Sequence, residues 1–233
     1  MGFKNHELFI KQHKSIFRGP FLEIGAKDYG STVNLRAIFP EETYVGIDME
    51  DGKGVDLVLD LTRPFEEIDS ALAGRRFGSV FCLSVLEHCA QPFLMADNIT
   101  RLLAPGGTLY VSVPYAWKFH GYPSDYWRFT HEGVKKLFPD LVFDMAIART
   151  STDVLGDFQA VDEDLARIRI SGSWQRRKGK FFRSLGADLL AILGAFGMAR
   201  WLTQHRYLMP PTCIEMIGSV PITPGPGVAD RNC

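Results

Sequence analysis

A chain of 233 residues with 46% hydrophobic content is long enough to bury a full core, as one large α/β domain or two small ones, and should fold alone. A formal net charge of −1 and a pI near 6.6 give no global attraction to nucleic acid or acidic lipid, so an electrostatic partner must be met by a local patch. Cys82, Cys89, Cys213 and Cys233 show neither Cys-x-x-Cys spacing nor a dense disulfide framework, which fits a reducing cytoplasm. The opening MGFKNHELFIKQHK has no apolar signal core and no Ser or Thr at position 6, so secretion and myristoylation are not expected.

In chain order, apolar runs bounded by turn residues predict strands at 20–24, 44–48, 55–59, 79–83, 107–113, 141–147 and 213–219. Helical patterns lie between most of them: STVNLRAIF, then PFEEIDSALA with Pro64 at a first helical position, then PFLMADNITRLLAPGG ending at Pro105-Gly106-Gly107. Thr130 can cap a helix through HEGVKKLF. Such alternation predicts an α/β, doubly wound, seven-stranded and mostly parallel sheet with helices on both faces and ligands at the carboxyl ends of its strands.

The stretch FLEIGAKDYG runs from a strand into a glycine turn, the start of a nucleotide-type cofactor site, but Lys27 stands where a dinucleotide loop has its second glycine. Glu23 and Gly25 close the first strand. Asp48 in TYVGIDME closes the second, where a carboxylate offers two oxygens to a ribose diol. Asp60 in VLDLTRPF closes the third, placed to accept from an exocyclic amine. A glycine after a strand is usually only a turn; three acids at successive strand ends are more specific.

SVFCLSVLEHCAQPF, a buried strand followed by Leu86-Glu87-His88, and LLAPGGTLYVSVP, a helix end, turn and strand, complete the order of motifs. From about residue 20 to 150 the chain resembles the class I S-adenosylmethionine-dependent methyltransferases. The resemblance implies a Rossmann-like fold with an antiparallel last strand, TCIEMIGSVP, and S-adenosylmethionine as cofactor. It implies that Glu23, Gly25, Ala26, Lys27 and Gly30 hold the methionine part and ribose edge. It further implies that Asp48 and Met49 meet the ribose, that Asp60 and Leu61 meet adenine, and that the stretch from Ser84 and Val85 to His88 lies beside the sulfonium and the acceptor. The chain departs from the family pattern at Lys27 and Tyr29, where small residues are usual, and at Gly78-Ser79, where an acid is common. A ligand with no pyrophosphate has no need of the second glycine, and Lys27 either approaches the cofactor carboxylate or is a solvated turn lysine.

VPYAWKFHGYPSDYWRFT, residues 113–130, follows the fifth strand and is dense in aromatic rings. It resembles a loop of a bacterial methyltransferase subgroup linked to surface-glycan and secondary-metabolite pathways. Tyr115, Trp117, Tyr122, Tyr126 and Arg128 are therefore candidate substrate-binding residues, with packing as the alternative for each ring. Methyl transfer is an in-line displacement, and a hydroxyl acceptor needs a base of suitable pKa. His120 and His88 are the candidates, with His120 preferred, because a family histidine at the position of His88 often orients the helix. Asp125 orients His120 or binds a substrate hydroxyl. No ligand-spaced cluster of His and carboxylates stands near the fifth strand, so no metal is expected, a single Mg²⁺ on Asp125 being the alternative.

Beyond residue 150, the basic run at 167–183 leads into an apolar stretch broken by Asp188, too short for a membrane span. A lid over residues 167–202 is the first expectation; an interfacial helix on anionic lipid with Trp201 at its margin, or a dimer contact, remain alternatives. The chain is thus expected to be one domain with a cofactor core at 20–150, an insertion at 151–210 and a mobile tail at 222–233, cytoplasmic or peripheral to a membrane, monomeric or homodimeric, with a small-molecule acceptor and no nucleic acid. Oxygen methylation of a small polar metabolite such as a sugar is the leading activity. Nitrogen or carbon methylation and a non-catalytic binding protein of the same fold are alternatives. A nicotinamide-dependent oxidoreductase ranks lowest, because Lys27 replaces the close-approach glycine and no Tyr-x-x-x-Lys pair is present.

Overall fold

The alternation of apolar runs and helical stretches assembles into one mixed sheet. The computed structural model describes residues 4–30, 33–40, 43–121, 124–162, 165, 168–169, 171–177, 179–197 and 207–222. In chain order its elements are α1 (Lys4–Gln12), β1 (Phe21–Ile24), α2 (Leu35–Ile38), β2 (Tyr44–Asp48), β3 (Leu57–Val58), α3 (Phe65–Ala71), β4 (Phe77–Leu83), α4 (Pro92–Leu102) and β5 (Leu103–Ala116). There follow α5 (His131–Leu137), β6 (Val142–Phe143), β7 (Arg149–Thr152), β8 (Phe158–Ala160), β9 (Ile168–Arg169), α6 (Gly172–Arg177), α7 (Phe181–Ala195), β10 (Tyr207–Leu208) and β11 (Thr212–Ser219), with 3-10 turns at Lys14–Ile16 and Leu86–His88.

The sheet runs β3-β2-β1-β4-β5-β11-β7-β8, with β6 also pairing β11; β9 and β10 form a separate ribbon. β3, β2, β1, β4 and β5 are mutually parallel, and β11 is antiparallel to β5. Strand order reverses between β1 and β4, so a crevice opens at their carboxyl ends. Because β11 runs the other way, its first residues reach the same edge: Cys213 pairs with Pro114 near the end of β5. Side-chain alternation sends Leu22, Val80, Cys82, Leu109 and Val111 to one face under α3, α4 and α5. Phe21, Phe81, Tyr110 and Ile217 go to the other face, under α1 and α2. The sheet is doubly wound, as the sequence predicts, and the last strand is antiparallel.

Several boundaries differ from expectation. The sheet has nine strands where seven are expected, because β7 and β8, outside every predicted run, add to it. The sixth run, 141–147, is not continuous: Asp144 Oδ1 accepts the Ala146 N–H at 2.9 Å and its carbonyl accepts from Ala148, an Asx turn that ends β6 and delays the paired strand to β7. The boundary placed between residues 150 and 151 therefore falls inside β7. The helix from 92 stops at Leu102, and Leu103–Gly107 is extended chain with an irregularity against Phe77–Ser79, where Gly106 takes a φ of 67°. The N-terminal stretch is a helix, α1, that buries Asn5, His6, Phe9 and Ile10. The tail beyond Ile222, with Cys233, lies outside the described residues, as does Trp201.

Candidate active site

Gly25 ends β1 with a φ of 75°, and a Cβ there would stand 2.6 Å from Val85 Cγ2, so this position needs glycine both for its backbone conformation and for the approach of the chain after β4. The Gly25 and Ala26 N–H groups donate to the Ile47 carbonyl at 2.9 and 3.0 Å, closing the loop onto β2. Asp48 is the last residue of β2. Its Oδ2 accepts from the Lys27 N–H at 3.2 Å and its Oδ1 from the Glu50 N–H at 3.1 Å, which orients the carboxylate while each oxygen keeps a second lone pair. Met49 beside it is exposed, and Gly30 turns with a φ of 88° over Asp28.

Other residues of this first group are committed elsewhere. Lys27 Nζ is held by Glu50 at 2.6 Å and lies 5.5 Å from the Tyr29 ring centre. Asp60 Oδ1 accepts both the N–H and the hydroxyl of Thr62, so one of its oxygens fixes the turn after β3. Leu61 is buried, and Asn98 from α4 donates to the carbonyls of Leu61 and Arg63 at 2.9 and 3.0 Å, holding that turn from below. Glu23 is buried within β1, and loss of water pushes its carboxyl up to about 8.

The chemistry concentrates one strand further on. Ser84 leaves β4 with a φ of 55°, a left-handed conformation rare outside glycine, and the 3-10 turn that follows places Glu87 and His88. Glu87 is 1% exposed, and neither carboxylate oxygen has a hydrogen-bond partner among the described residues. Burial pushes this carboxyl up to about 8. His88 Nε2 stands 3.9 Å and His120 Nε2 4.0 Å from Glu87 Oε1, too long for hydrogen bonds. The two imidazole rings meet edge to face, 5.0 Å between centres.

Both histidines are oriented from behind. A carbonyl oxygen can only accept, so the 2.5 Å contact of His88 Nδ1 with Ser124 O puts the proton on Nδ1 and leaves a lone pair on Nε2. Burial lowers the His88 pKa, which favours this neutral form. His120 Nδ1 lies 3.1 Å from Lys118 O and 3.2 Å from Asp125 Oδ2, two acceptors that place a proton on Nδ1 and turn Nε2 into the cleft. Asp125 is itself gripped by Arg128 at 2.5 and 2.7 Å and by the His120 N–H at 2.9 Å. The guanidinium holds the Asp125 carboxyl well below the usual carboxylate range. Both Nε2 atoms thus face one buried carboxyl group.

The aromatic segment is sewn to this turn. Tyr126 N–H donates to Glu87 O at 2.8 Å, Trp127 Nε1 to Cys89 O at 2.8 Å, and Phe129 N–H to Pro114 O at 3.0 Å. Ser84, Glu87, His88, Pro114, Trp117, His120 and Cys213 line one cleft. Sequence reasoning placed Ser84, His88, Trp117 and His120 in the site. It placed the Ser84–His88 and 113–130 stretches beside the acceptor but named no individual role for Glu87 or Pro114, and did not place Cys213 in the site. The signal for Glu87 was an ionisable residue in the short turn that follows the buried strand β4. Of the remaining candidates, Val85 touches the glycine loop, Tyr115 packs on the core, Tyr126 is exposed, and Arg128 is engaged with Asp125 and the carbonyls of Trp117 and Lys118. Tyr122 lies outside the described residues. No ligand spacing in the sequence marks a His and carboxylate cluster near the fifth strand, but the fold brings His120 to the adjacent pair Glu87 and His88, with ligand atoms within 4.8 Å of one another.

No protein-family profile and no curated protein matches the chain. Solved structures do. An S-adenosylmethionine-dependent methyltransferase from Archaeoglobus fulgidus matches with a TM-score of 0.52 at 14% identity, over 93% of this chain and 94% of that one. A candidate methyltransferase from Bacillus halodurans C-125 matches with a TM-score of 0.51 at 12% identity, over 91% of this chain and 98% of that one. Together with the strand order and the antiparallel β11, these likenesses show that the chain has the Rossmann-like fold of the class I methyltransferases.

Proposed function

We propose that the protein is an S-adenosylmethionine-dependent methyltransferase that methylates an oxygen of a small polar acceptor, such as a sugar or sugar-containing metabolite. The observation that carries this reading is the contact of Gly25 with Val85, which sets the glycine loop and Asp48 against the turn bearing Glu87 and His88. Asp48 would hold the cofactor's ribose hydroxyls, with Glu23, Ala26, Lys27, Gly30 and Met49 around the loop and Asp60 and Leu61 towards adenine. The acceptor would enter the cleft that Ser84 and Trp117 line.

When bound, the cofactor would supply an electrophilic methyl group to the acceptor oxygen, and His120 Nε2 would take the proton that the hydroxyl gives up. Asp125 positions His120 through Nδ1 and the backbone N–H. Tyr115, Trp117, Tyr122 and Tyr126 would offer ring faces and hydroxyls to a polyhydroxylated ligand. Arg128 acts indirectly, by holding Asp125. Mass detection of a methyl gain across a panel of sugars and sugar-linked metabolites tests the reading. Loss of a positioned base costs about 10²–10⁴-fold in rate, so His120→Ala should lower turnover by that order in metal-free buffer while leaving cofactor affinity nearly unchanged. Product methylated on nitrogen or carbon would overturn the oxygen assignment.

A further inference from the structure

We propose that Glu87, His88 and His120 form a binding site for a first-row divalent metal ion, for which Zn²⁺ is the fitting probe, with its open side towards the cleft where the acceptor enters. Glu87 supplies the independent observation. A carboxyl group that is 1% exposed, with no hydrogen-bond partner on either oxygen among the described residues, is costly to bury unless a bound group satisfies it. Facing that space are the Nε2 atoms of His88 and His120, at 3.9 and 4.0 Å from Oε1.

The donor set is one carboxylate and two imidazoles, which suits zinc and its first-row neighbours better than Mg²⁺ or Ca²⁺. Bond lengths of about 2.0–2.1 Å put neighbouring ligands of a tetrahedral ion roughly 3.3–3.4 Å apart, so each side chain has to close in by less than about 1 Å. Metal-binding histidines characteristically donate their other ring N–H to a carbonyl or carboxylate. Here His88 has Ser124 O and His120 has Lys118 O and Asp125. Asp125 is fixed in turn by Arg128. With three protein ligands the coordination sphere stays open, as in catalytic sites.

Binding of the ion stands apart from the functional reading, but its use rests on that reading. An acceptor hydroxyl on the open position would be polarised and give up its proton to solvent, while His120 serves as a ligand and no longer as the base.

Calorimetric titration of Zn²⁺ into the chelator-stripped, untagged full chain, with metal analysis of the dialysed protein, tests the site without any turnover. The expected result is one ion per chain, with affinity lowered at least tenfold by Glu87→Gln and by His120→Ala, and about 10–100-fold by Asp125→Asn, which removes only an outer partner. Circular dichroism keeps folded variants apart from unfolded ones, and the parent protein needs no variant to be informative. Absence of stoichiometric uptake by the parent overturns the proposal. So does uptake that Glu87→Gln and His120→Ala leave unchanged, which marks an adventitious ion. S-adenosylmethionine binding measured in chelator separates the two readings: cofactor binding without metal uptake sinks only this inference, and metal uptake without cofactor binding sinks only the methyltransferase reading.

Discussion

Single side chains carry most of the consequences at the residue scale. Glu23 is buried in β1 with its carboxyl pushed up to about 8 from 4.5, so the folded state binds a proton that the unfolded chain has released. Its contribution to stability is full below about pH 4.5 and is lost as pH rises through about 8. Denaturant midpoints from pH 5 to 8 should therefore fall more steeply for the parent than for Glu23→Gln, by up to about 1.4 kcal/mol per pH unit. Comparing parent with variant isolates Glu23 from His6, whose depressed pKa works in the opposite sense. Asn98 gives a second case. It sits in a glycosylation sequon, yet it is 1% exposed and donates to two carbonyls. Asn98→Ala should cost about 1–3 kcal/mol in urea unfolding, because it strands those acceptors. The strand-end acids were legible in sequence because strands end at turns. The pairing of Lys27 with Glu50 and of Asp60 with Thr62 was not, because a partner's position is a tertiary fact.

Among the elements, the aromatic segment after β5 was legible as a site component by density and position. Its attachment was not: Glu87 O receives the Tyr126 N–H from the far end of a loop, and no spacing rule joins those residues. The same limit hid the metal-type cluster, since His120 is more than thirty positions from Glu87 in sequence. α1 was missed for another reason. Its first turns carry Lys and Glu beside Asn5 and His6, polar residues that fold inward, so the apolar stripe is short. His6 Nε2 meets Ser112 Oγ at 2.8 Å, near a buried Glu215 that takes Tyr110 and Ser151 hydroxyls.

In α7 the lid expectation meets a specific surface. Ser184 and Ala187 are buried, and Arg176 of α6 pairs with Asp188. Phe182, Leu185, Leu189, Ile192 and Phe196 are all exposed. Leu185→Glu, Leu189→Lys and Ile192→Glu should each change stability by under about 0.5 kcal/mol, as for surface positions. A thermal melt displaced well beyond that would mean this face is covered in the folded chain.

At the scale of the whole molecule, strand order, parallel pairing and the antiparallel return all follow from an alternation that is visible in the chain, because a doubly wound sheet has few ways to bury both faces. The extra strands β7 and β8 were not visible, being short and lying outside every long apolar run. No helix among the described residues is long and apolar enough to cross a membrane. What the fold delivers is an edge where β1, β2, β4, β5 and β11 all bring polar groups, and the account stands on that edge holding S-adenosylmethionine. Calorimetric titration with S-adenosylhomocysteine, parent against Asp48→Ala, measures this directly. The parent should bind one equivalent, and the variant should lose about 1–3 kcal/mol of binding free energy as the ribose hydroxyls lose their acceptors. Equal affinity in both proteins, or a parent that binds a nicotinamide dinucleotide and no S-adenosylhomocysteine, would contradict it.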